Sequence, residues 1–351
     1  MSKRLGNQNL LDSAKNPQDE FYTQIGTVED ELKNYTSYFK NKTVLCNCDD
    51  PYESAFFKYF TLNFDYLGLK KLITTCYSNS PVEGKQLSLF DVNNLQKPLN
   101  YNQPYKASIT QIPDFNKDGA KDLSDISYLM KNNKNTLTLL KGNGDFRSSE
   151  CKQLLQEADI VVTNPPFSLF REYINQLFKY NKKFLIIGRM TAVTYKEILP
   201  HFMNGDVWLG KNSGHFWFKV PDYYQPKKTD FKIDEKGQKW RRMGNICWFT
   251  NLDFKARHED LLLYKHYNPS DYPKYDNYNA INVSAVKNIP LDYDGVMGVP
   301  TTFLAKWNPD QFELLGSSRY HDGNSEANDI NFINGKGKFT RILIRRKHNE
   351  N

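Results

Sequence analysis

The chain has 351 residues, a length that suggests two domains or one large α/β domain with an appendage. Aromatic residues make up 14% and charged residues 25%, so a sizeable core can form. Its five cysteines form no CxxC pair, which excludes a disulfide framework and a typical metal-binding pattern and indicates reduced thiols. The first residues lack the apolar core of a signal peptide, and no apolar run has the length of a membrane span. We therefore expect a cytoplasmic protein that does not enter a membrane, and its net charge of +7 is compatible with a polyanionic partner.

The first 205 residues are predicted to alternate between strands and helices. An amphipathic helix is predicted around residues 28–41, followed by a strand at 43–48 and a helix with Asp49 or Asp50 as its cap and Pro51 in its first turn. Further strands are predicted within 69–77, 136–146, 158–167 and 182–190, helices over 168–180 and 195–202, and an irregular polar segment with an insertion over 78–135. This alternation is typical of a parallel sheet with crossover helices.

Three polar segments lie directly after predicted strands: "CDDP" at 48–51, "GNGDF" at 142–146 and "NPPF" at 164–167. Sheets of this kind bind ligands in a crevice beyond the carboxyl ends of their strands. We therefore expect the three segments to meet in one crevice.

The segment Asn164-Pro165-Pro166-Phe167 has the groups that methyl transfer to an exocyclic base amine requires. Such an amine is a poor nucleophile because its lone pair is delocalised into the ring, and two acceptors aimed at its hydrogens favour a tetrahedral form. The Asn164 side-chain oxygen and the Pro165 carbonyl can be these acceptors, since proline restricts the backbone. Phe167 can stack on a flipped base, and catalysis is then mainly positioning for in-line attack. A strand-to-loop turn without catalytic role is the alternative.

After about residue 205 the sequence changes character. Short aromatic pieces such as "HFWFKV" and "GNICWFT" alternate with turn residues, and basic clusters occur at 239–242 and 341–348. We place a domain boundary near residue 205 on this change.

Several segments resemble one family. "DIVVTNPPF" resembles motif IV of amino-methyltransferases that act on adenine or cytosine amines. Residues 19–24, 44–60, 164–174, 244–253 and 298–316, which read "DEFYTQ", "VLCNCDDPYESAFFKYF", "NPPFSLFREYI", "GNICWFTNLD" and "GVPTTFLAKWNPDQFELLG", are similar to the EcoRI-type adenine-specific DNA methyltransferases. The resemblance spans most of the chain and implies a Rossmann-like sheet that binds S-adenosylmethionine, with a C-terminal target-recognition region.

The resemblance assigns nine residues to the cofactor. They are Phe21, Tyr22, Thr23, Asn47, Asp49, Asp50, Pro51, Asp145 and Phe146. Residues 21–23 would contact the methionine end, and Asp145 would accept from the adenine amine with Phe146 beside the ring. Asp49 or Asp50 would bind the amino group or the ribose hydroxyls, with helix capping as the alternative role. The segment lacks the glycines of the wider methyltransferase pattern, and the second strand ends without the usual acidic residue for the ribose.

The resemblance also divides the chain by function. Residues 1–205 would form the catalytic domain, and residues 206–351 the target-recognition region, with strands able to join the sheet. Candidate contacts to phosphate or guanine are Lys239, Arg241, Arg242, Arg345 and Arg346, for which a solvated basic face is the alternative.

The implied activity is transfer of a methyl group from S-adenosylmethionine to N6 of adenine in a specific duplex DNA sequence, with base flipping, by residues 164–167. We expect a monomer that protects DNA, in a restriction-modification system with a cognate endonuclease or in a phage or host. One alternative is an N-methyltransferase for RNA guanine or protein glutamine. Another is a non-catalytic DNA-binding module, against which the intact Asn164-Pro165-Pro166-Phe167 segment argues.

Overall fold

The structure is a computed structural model that describes residues 23–49, 54–76, 104–132, 137–213, 216–219, 230–235, 237–320 and 332–347. The chain divides into two units. The first consists of Met1–Ile186 with Phe216–Met243, and the second of Ile187–His215 with Gly244–Asn351. Within the described residues, no helix combines the length and apolar character that a membrane crossing requires. The predicted domain boundary near residue 205 stays a prediction.

The central strands of the first unit are parallel. β1 (Thr43–Cys46) lies between β2 (Lys71–Thr75) and β5 (Ile160–Thr163), and β5 pairs on its other edge with β6 (Lys183–Arg189). β1 and β5 are buried along their whole length, as expected for strands that are covered on both faces. The predicted α/β class with a mostly parallel sheet is confirmed.

The prediction of an irregular segment over residues 78–135 is wrong in part. β3 (Tyr105–Ile109) is antiparallel to β2 and to β4 (Leu137–Leu139), so β4 runs in the direction of the parallel strands. The helix α4 (Leu123–Asn132) follows β3. β3 reads "YKASI", which alternates apolar and polar residues, and α4 carries Leu123, Ile126 and Leu129 at helical spacing, so both patterns were present and were overlooked within a long polar segment. Residues 77–103 lie outside the described residues.

The strand order places a topological switch point between β1 and β5. In this unit the order is β4-β3-β2-β1-β5-β6, so the chain moves outward from β1 on one side and returns to begin β5 on the other. A ligand crevice forms at such a point, outside the carboxyl ends of the two strands. The "CNCDD" and "NPPF" segments follow β1 and β5 there.

The helix after β1 begins later than predicted. The cap of α2 (Ala55–Leu62) is Ser54, whose Oγ accepts hydrogen bonds from the N–H groups of Phe56 and Phe57 at 3.0 and 3.3 Å. The predicted cap role of Asp49 is therefore wrong. Serine satisfies the free N–H groups of the first turn, and the Asp49 carboxylate is left to accept the Ser54 hydroxyl at 2.9 Å.

The other helices of the first unit are α1 (Ile25–Leu32), α3 (Phe64–Leu67), α5 (Ser149–Glu157) and α6 (Phe170–Lys179). The helix predicted after "NPPF" is confirmed as α6. It buries Phe170, Tyr173, Ile174 and Leu177, whose spacing places them on one helical face. Because Tyr173 lies on this buried face, its side chain is in the interior of the unit.

A three-stranded antiparallel sheet also belongs to the first unit. Its order is β8 (Phe216–Lys219), β10 (Lys239–Met243), β9 (Phe231–Ile233). Directly paired residues share a face, so Trp240 of β10 lies with Lys232, while Arg241 lies on the opposite face with Phe218. Phe218 is buried, so the face of Trp240 is the more open one.

The second unit consists mainly of short strands. It contains the helix α7 (Leu199–Met203) and an antiparallel pair of strands, β7 (Trp208–Leu209) and β11 (Ile246–Thr250). A four-stranded sheet has the order β12 (Ala280–Asn282), β13 (Val296–Pro300), β17 (Arg341–Arg346), β14 (Phe312–Ser317). A hairpin is formed by β15 (Phe332–Ile333) and β16 (Lys336–Gly337). The Arg257 guanidinium stacks on Trp208, 3.9 Å from the ring centroid, and contributes to the packing of this unit.

His258 gives the second unit a pH-dependent contribution to stability. Its Nε2 lies 2.9 Å from the Asp253 carboxylate and its Nδ1 lies 3.4 Å from Asp310, and the hydrogen bond to Asp253 raises the pKa of the imidazole. A raised folded-state pKa stabilises the fold fully below the unfolded pKa of about 6.5, and this contribution is lost as pH rises through the folded value. We expect His258→Gln to lower the unfolding temperature more at acidic than at alkaline pH. An equal loss at both would contradict the ion pair.

Candidate active site

Two buried hydrogen bonds join the segment after β1 to the end of β5 and to α6. The Thr163 hydroxyl donates to Asp49 Oδ2, and the Tyr173 hydroxyl donates to Asn47 Oδ1. Asp49, the most accessible of the four residues, is only 8% exposed. The Phe146 ring, in the segment after β4, packs edge-on against Tyr173 with 5.0 Å between centroids. The ends of the strands that precede the three segments are therefore linked through Thr163 and Tyr173, and a shared crevice stays a prediction.

The segment that carries Asn164 begins where β5 ends. Pro165 is buried, and a 3₁₀ turn at Phe167–Leu169 starts directly after Pro166, whose carbonyl accepts from the Leu169 N–H at 3.0 Å. The two prolines hold their φ angles near a fixed value, so this corner is rigid. Its geometry is thus decided by the strand on one side and the turn on the other.

The Asn164 side-chain oxygen is buried and has no donor among the residues that the structure describes. Its Oδ1 is inaccessible, and no group among the described residues donates a hydrogen bond to it. An unsatisfied buried polar atom costs about 1–3 kcal/mol and is uncommon in folded proteins. At the switch point of the sheet, this acceptor is suited to a donor that arrives from outside the protein.

The segment after β1 is held by several hydrogen bonds. Asp49 accepts from Ser54 and Thr163, while its N–H donates to the Thr75 carbonyl at 3.2 Å. The Thr75 hydroxyl donates to the Asn47 carbonyl at 3.0 Å. Thr75 therefore shapes this loop from the end of β2. The Asn47 Nδ2 is buried and donates to no acceptor among the described residues.

The Asp145 carboxylate is engaged by a neighbouring arginine. Arg147 Nε and Nη2 lie 2.9 and 2.7 Å from Oδ1 and Oδ2, and the Arg147 N–H also donates to Oδ1 at 2.8 Å. The hydrogen bond from Arg147 lowers the pKa of Asp145. Arg147 also contacts Glu172 at 3.0 Å, which fastens the turn to α6. The second predicted member of this turn, Phe146, is 4% exposed and faces Tyr173.

The turn before Asp145 requires glycine. Gly144 has a φ of +78°, and a Cβ placed on it would lie 2.2 Å from the Cys76 carbonyl oxygen and 3.0 Å from Pro104 Cβ. The turn therefore passes directly against the end of β2. Such a close backbone approach positions Asp145 and Phe146 relative to the sheet.

Burial keeps the titratable groups around the Asn47–Asp49 loop protonated. It raises the pKa of Cys46, Cys48 and Tyr173 well above their ordinary values, and the Asp49 charge acts in the same direction. The thiols are therefore poor nucleophiles, and Tyr173 remains a hydrogen-bond donor to Asn47. The site accordingly holds neutral polar groups beside one buried carboxylate, which suits orientation of a substrate better than covalent catalysis.

The predicted DNA contacts belong to two different units of the chain. Lys239, Arg241 and Arg242 lie on β10 in the first unit, whereas Arg345 and Arg346 lie on β17 in the second. Arg242 pairs with Asp230 at 3.0 Å, and Arg345 lies 3.8 Å from Glu313.

Beside Arg242, the Lys232 ammonium lies 4.4 and 5.7 Å from the ring centroids of Trp217 and Trp240. Basic and aromatic side chains thus share the open face of this sheet. We call Trp217, Lys232, Trp240 and Arg242 the β8–β10 face.

Sequence reasoning missed three residues that organise the site. The sequence patterns gave no role to Thr163, to Tyr173 or to Arg147 as a partner of Asp145. A polar atom on an otherwise apolar strand end or helix face is the signal that identifies Thr163 and Tyr173, because a buried hydroxyl needs a partner. Four predicted cofactor residues lie outside the described residues: Phe21, Tyr22, Asp50 and Pro51. Thr23 is described, and its buried Oγ1 has no hydrogen-bond partner among the described residues.

Comparisons with known proteins identify the family of the chain. Residues 9–347 match the family model described as "Adenine-specific methyltransferase EcoRI". The chain is 46% identical to the type II methyltransferase M.EcoRI of Escherichia coli, over 99% of each chain. It is 37% identical to M.MgeORF184P of Mycoplasma genitalium and 34% identical to M.MpnI of Mycoplasma pneumoniae, both type II methyltransferases, over 97% of this chain and 98% of theirs. No solved structure matches the chain significantly.

The resemblance drawn from the sequence motifs is therefore confirmed over nearly the whole length. Both mycoplasma relatives cover the same share of the chain, so the similarity is not confined to the "NPPF" segment. The chain belongs to the EcoRI-type adenine-specific methyltransferase family.

Proposed function

We propose that this enzyme transfers a methyl group from S-adenosylmethionine to the N6 amine of adenine in a specific duplex DNA sequence. The observation that carries the proposal is the buried Asn164 Oδ1, an acceptor with no donor among the described residues, at the switch point of the sheet. Adenine-specific methyl transfer with this cofactor follows from membership of the family. The duplex substrate, the flipped base and the residue roles are our proposal.

Asn164 and the carbonyl of Pro165 would accept the two hydrogens of the amine. Both acceptors lie on a corner that the prolines hold still, so the amine is oriented without reorganisation of the protein. Phe167, partly exposed at the start of the 3₁₀ turn, would stack on the extruded base. Because Asn164 is neutral, it orients the amine and takes no proton; the proton leaves after methyl transfer.

The residues present fit the cofactor. Asn47 Nδ2 and Thr23 Oγ1 are buried polar atoms that lack partners among the described residues, as expected for groups whose partner is a bound molecule. When bound, S-adenosylmethionine supplies an activated methyl group. Asn47 would bind it through Nδ2, while the Asn47 Oδ1 stays on Tyr173. We retain Phe21, Tyr22, Asp50 and Pro51 as cofactor residues on the family resemblance alone.

Asp145 and Phe146 would bind beside the adenine of the cofactor. Asp145 already accepts from Arg147 on both oxygens, so an adenine amine would use a remaining lone pair. Asp49 would hold the loop through its hydrogen bonds from Ser54 and Thr163 and, like Asp145, would use a remaining lone pair for the cofactor, at its amino group or ribose hydroxyls.

DNA recognition is proposed for residues 206–351, with catalysis in residues 1–205. The basic residues of β10 and β17 and the β8–β10 face are the candidate contacts, because lysine and arginine bind phosphates and aromatic rings stack on bases. The type II names of the relatives support a role in a restriction-modification system. A cognate endonuclease and a monomeric state belong to the same proposal.

The double change Arg241→Gln with Arg242→Gln is expected to weaken duplex binding and to reduce the salt slope of log K by about 1–2, because each lost phosphate contact removes about 0.9. The loss of the ion pair with Asp230 should cost little stability, since exposed pairs contribute about 0–1 kcal/mol. Lys33→Gln, which removes a surface cation paired with Asp30 on α1, is the control. Titration of a fluorescent duplex at several salt concentrations measures both effects. An unaltered salt slope of log K would show that these arginines do not contact the DNA phosphates.

Incubation with labelled S-adenosylmethionine tests the function directly. We expect label on N6 of adenine in duplex DNA that contains the recognition sequence, and none on RNA or protein. Label on RNA guanine or protein glutamine instead would support the alternative methyltransferases, which the family membership does not favour. Mapping of methylated adenines in DNA from an expressing host would identify the sequence.

A further inference from the structure

We propose that Thr163 and Tyr173 are positioning residues for methyl transfer: their hydroxyls, bound to Asp49 and Asn47, hold the Asn164 corner in register with the cofactor loop. The inference rests on the proposed roles of Asn164 and of the Asn47–Asp49 loop. It assigns a function to two residues to which the family resemblance gave no role.

The two hydroxyls anchor the corner on both sides. Thr163 directly precedes Asn164, and Tyr173 lies on α6, the helix that follows the corner. Both donate to side chains of one short loop, Asn47–Asp49. The Asn164 corner is therefore flanked by two residues that are hydrogen-bonded to the segment assigned to the cofactor.

The loop that receives these hydrogen bonds is itself fixed. Thr75 donates to the Asn47 carbonyl at 3.0 Å and accepts from the Asp49 N–H at 3.2 Å, and Ser54 donates to Asp49 at 2.9 Å. A displacement of the loop would therefore be transmitted to Asn164 through Thr163. Cofactor loop and catalytic corner form one hydrogen-bonded unit.

The β5 strand does not need the Thr163 hydroxyl. Backbone pairing already holds this residue opposite Ile186 of β6, and its side chain is fully buried. A hydrogen bond from a hydroxyl to a carboxylate is stronger than one between neutral groups, and the β-branched side chain has little rotational freedom. The bond therefore restrains the last strand residue at the point where the chain turns towards Asn164.

Positioning of this kind affects the chemical step more than binding. A misplacement of about 1 Å in a reacting geometry can cost about 10²-fold in rate. A merely structural hydroxyl would change stability and leave the rate of the folded enzyme unaltered. The two interpretations therefore differ in a measurable quantity.

The test compares Thr163→Val, which keeps the shape and removes the donor, with Thr163→Ser, which keeps the donor. We expect the valine variant to lose about 10- to 100-fold in single-turnover methylation of an adenine duplex, with cofactor and duplex affinities little changed. Serine should restore most of the rate. Tyr173→Phe should lower the rate in the same direction, and the double change should be non-additive because both contacts restrain one corner.

Thr61→Val is the matched control. Thr61 is also buried and its hydroxyl donates to the Phe57 carbonyl at 2.8 Å, but within α2 and away from the corner. It should lower the unfolding temperature without a change in single-turnover rate. A wild-type rate in both Thr163→Val and Tyr173→Phe, or a rate loss that serine does not restore, would overturn the inference. If Asn164→Ala also kept its turnover, the proposed function itself would be wrong. If Asn164→Ala were inactive while Thr163→Val was fully active, only the positioning role would be wrong.

Discussion

Asn164→Ala is expected to lower the single-turnover rate of adenine methylation by at least about 10²- to 10³-fold, the loss seen when one preorganised polar group is removed from a reacting centre. The reason is that Oδ1 would accept a hydrogen of the amine in the transition state, and alanine offers no acceptor. Cofactor affinity should be retained, because the cofactor residues lie in other segments. Quenched-flow measurement with labelled cofactor and equilibrium cofactor titration separate the two quantities.

The same substitution should leave the fold intact. No group among the described residues donates a hydrogen bond to Asn164 Oδ1, so removing this oxygen leaves none of their donors without its acceptor. The unfolding temperature should therefore stay the same or rise, as is common when an unsatisfied polar group is removed from a functional site. Asn116→Ala, in an exposed loop where Asn116 accepts from Asp118 N–H, is the control for asparagine loss. Unchanged turnover in Asn164→Ala would remove Asn164 from the mechanism.

Gly144→Ala is expected to destabilise the protein by about 2–5 kcal/mol, the sum of a left-handed conformation imposed on alanine and of overpacking. The new Cβ would lie 2.2 Å from the Cys76 carbonyl oxygen, a backbone atom that cannot rotate away. The turn must then move, and it carries Asp145 and the Phe146 ring that packs on Tyr173. We expect a lower unfolding temperature and weaker cofactor binding.

Gly142→Ala provides a matched control in the same "GNG" turn. No atom lies within 4 Å of a Cβ on Gly142, and its φ is outside the left-handed region. This change should be neutral or stabilise by about 0.4–1 kcal/mol, because alanine reduces the entropy of the unfolded chain. Thermal unfolding and cofactor titration of both variants test the argument, and equal behaviour of the two glycines would contradict it.

Local sequence patterns predicted the parts of the fold whose signals are short-range. β1, β2, β5, β6 and α6 were all predicted, because apolar runs and helical spacing report burial directly. The motif at 164–167 was recognisable because its amide and its two prolines are contiguous, and the family membership confirms the resemblance. β3 and α4 were missed because their short apolar patterns lie within a long segment rich in Asn, Lys and Ser.

The cap of α2 shows how a local rule can select the wrong residue. Asp49 and Ser54 both have side chains that cap helices, and the sequence offered no reason to prefer the later one. In the structure, Ser54 caps α2, while Asp49 is turned towards Thr163 on a strand that follows much later in the chain. That choice depends on a contact with β5.

By itself, the sequence determined the family, the parallel sheet and the rigid Asn164-Pro165-Pro166-Phe167 corner, because each depends on residues that are close along the chain. Only the tertiary structure decided that Tyr173 binds Asn47, that Thr163 binds Asp49, and that the Asn164 oxygen stays without a donor among the described residues. The first two features join residues more than a hundred positions apart. Hydrogen-bond satisfaction of buried groups is a property of the folded interior, and no pattern of adjacent residues specifies it.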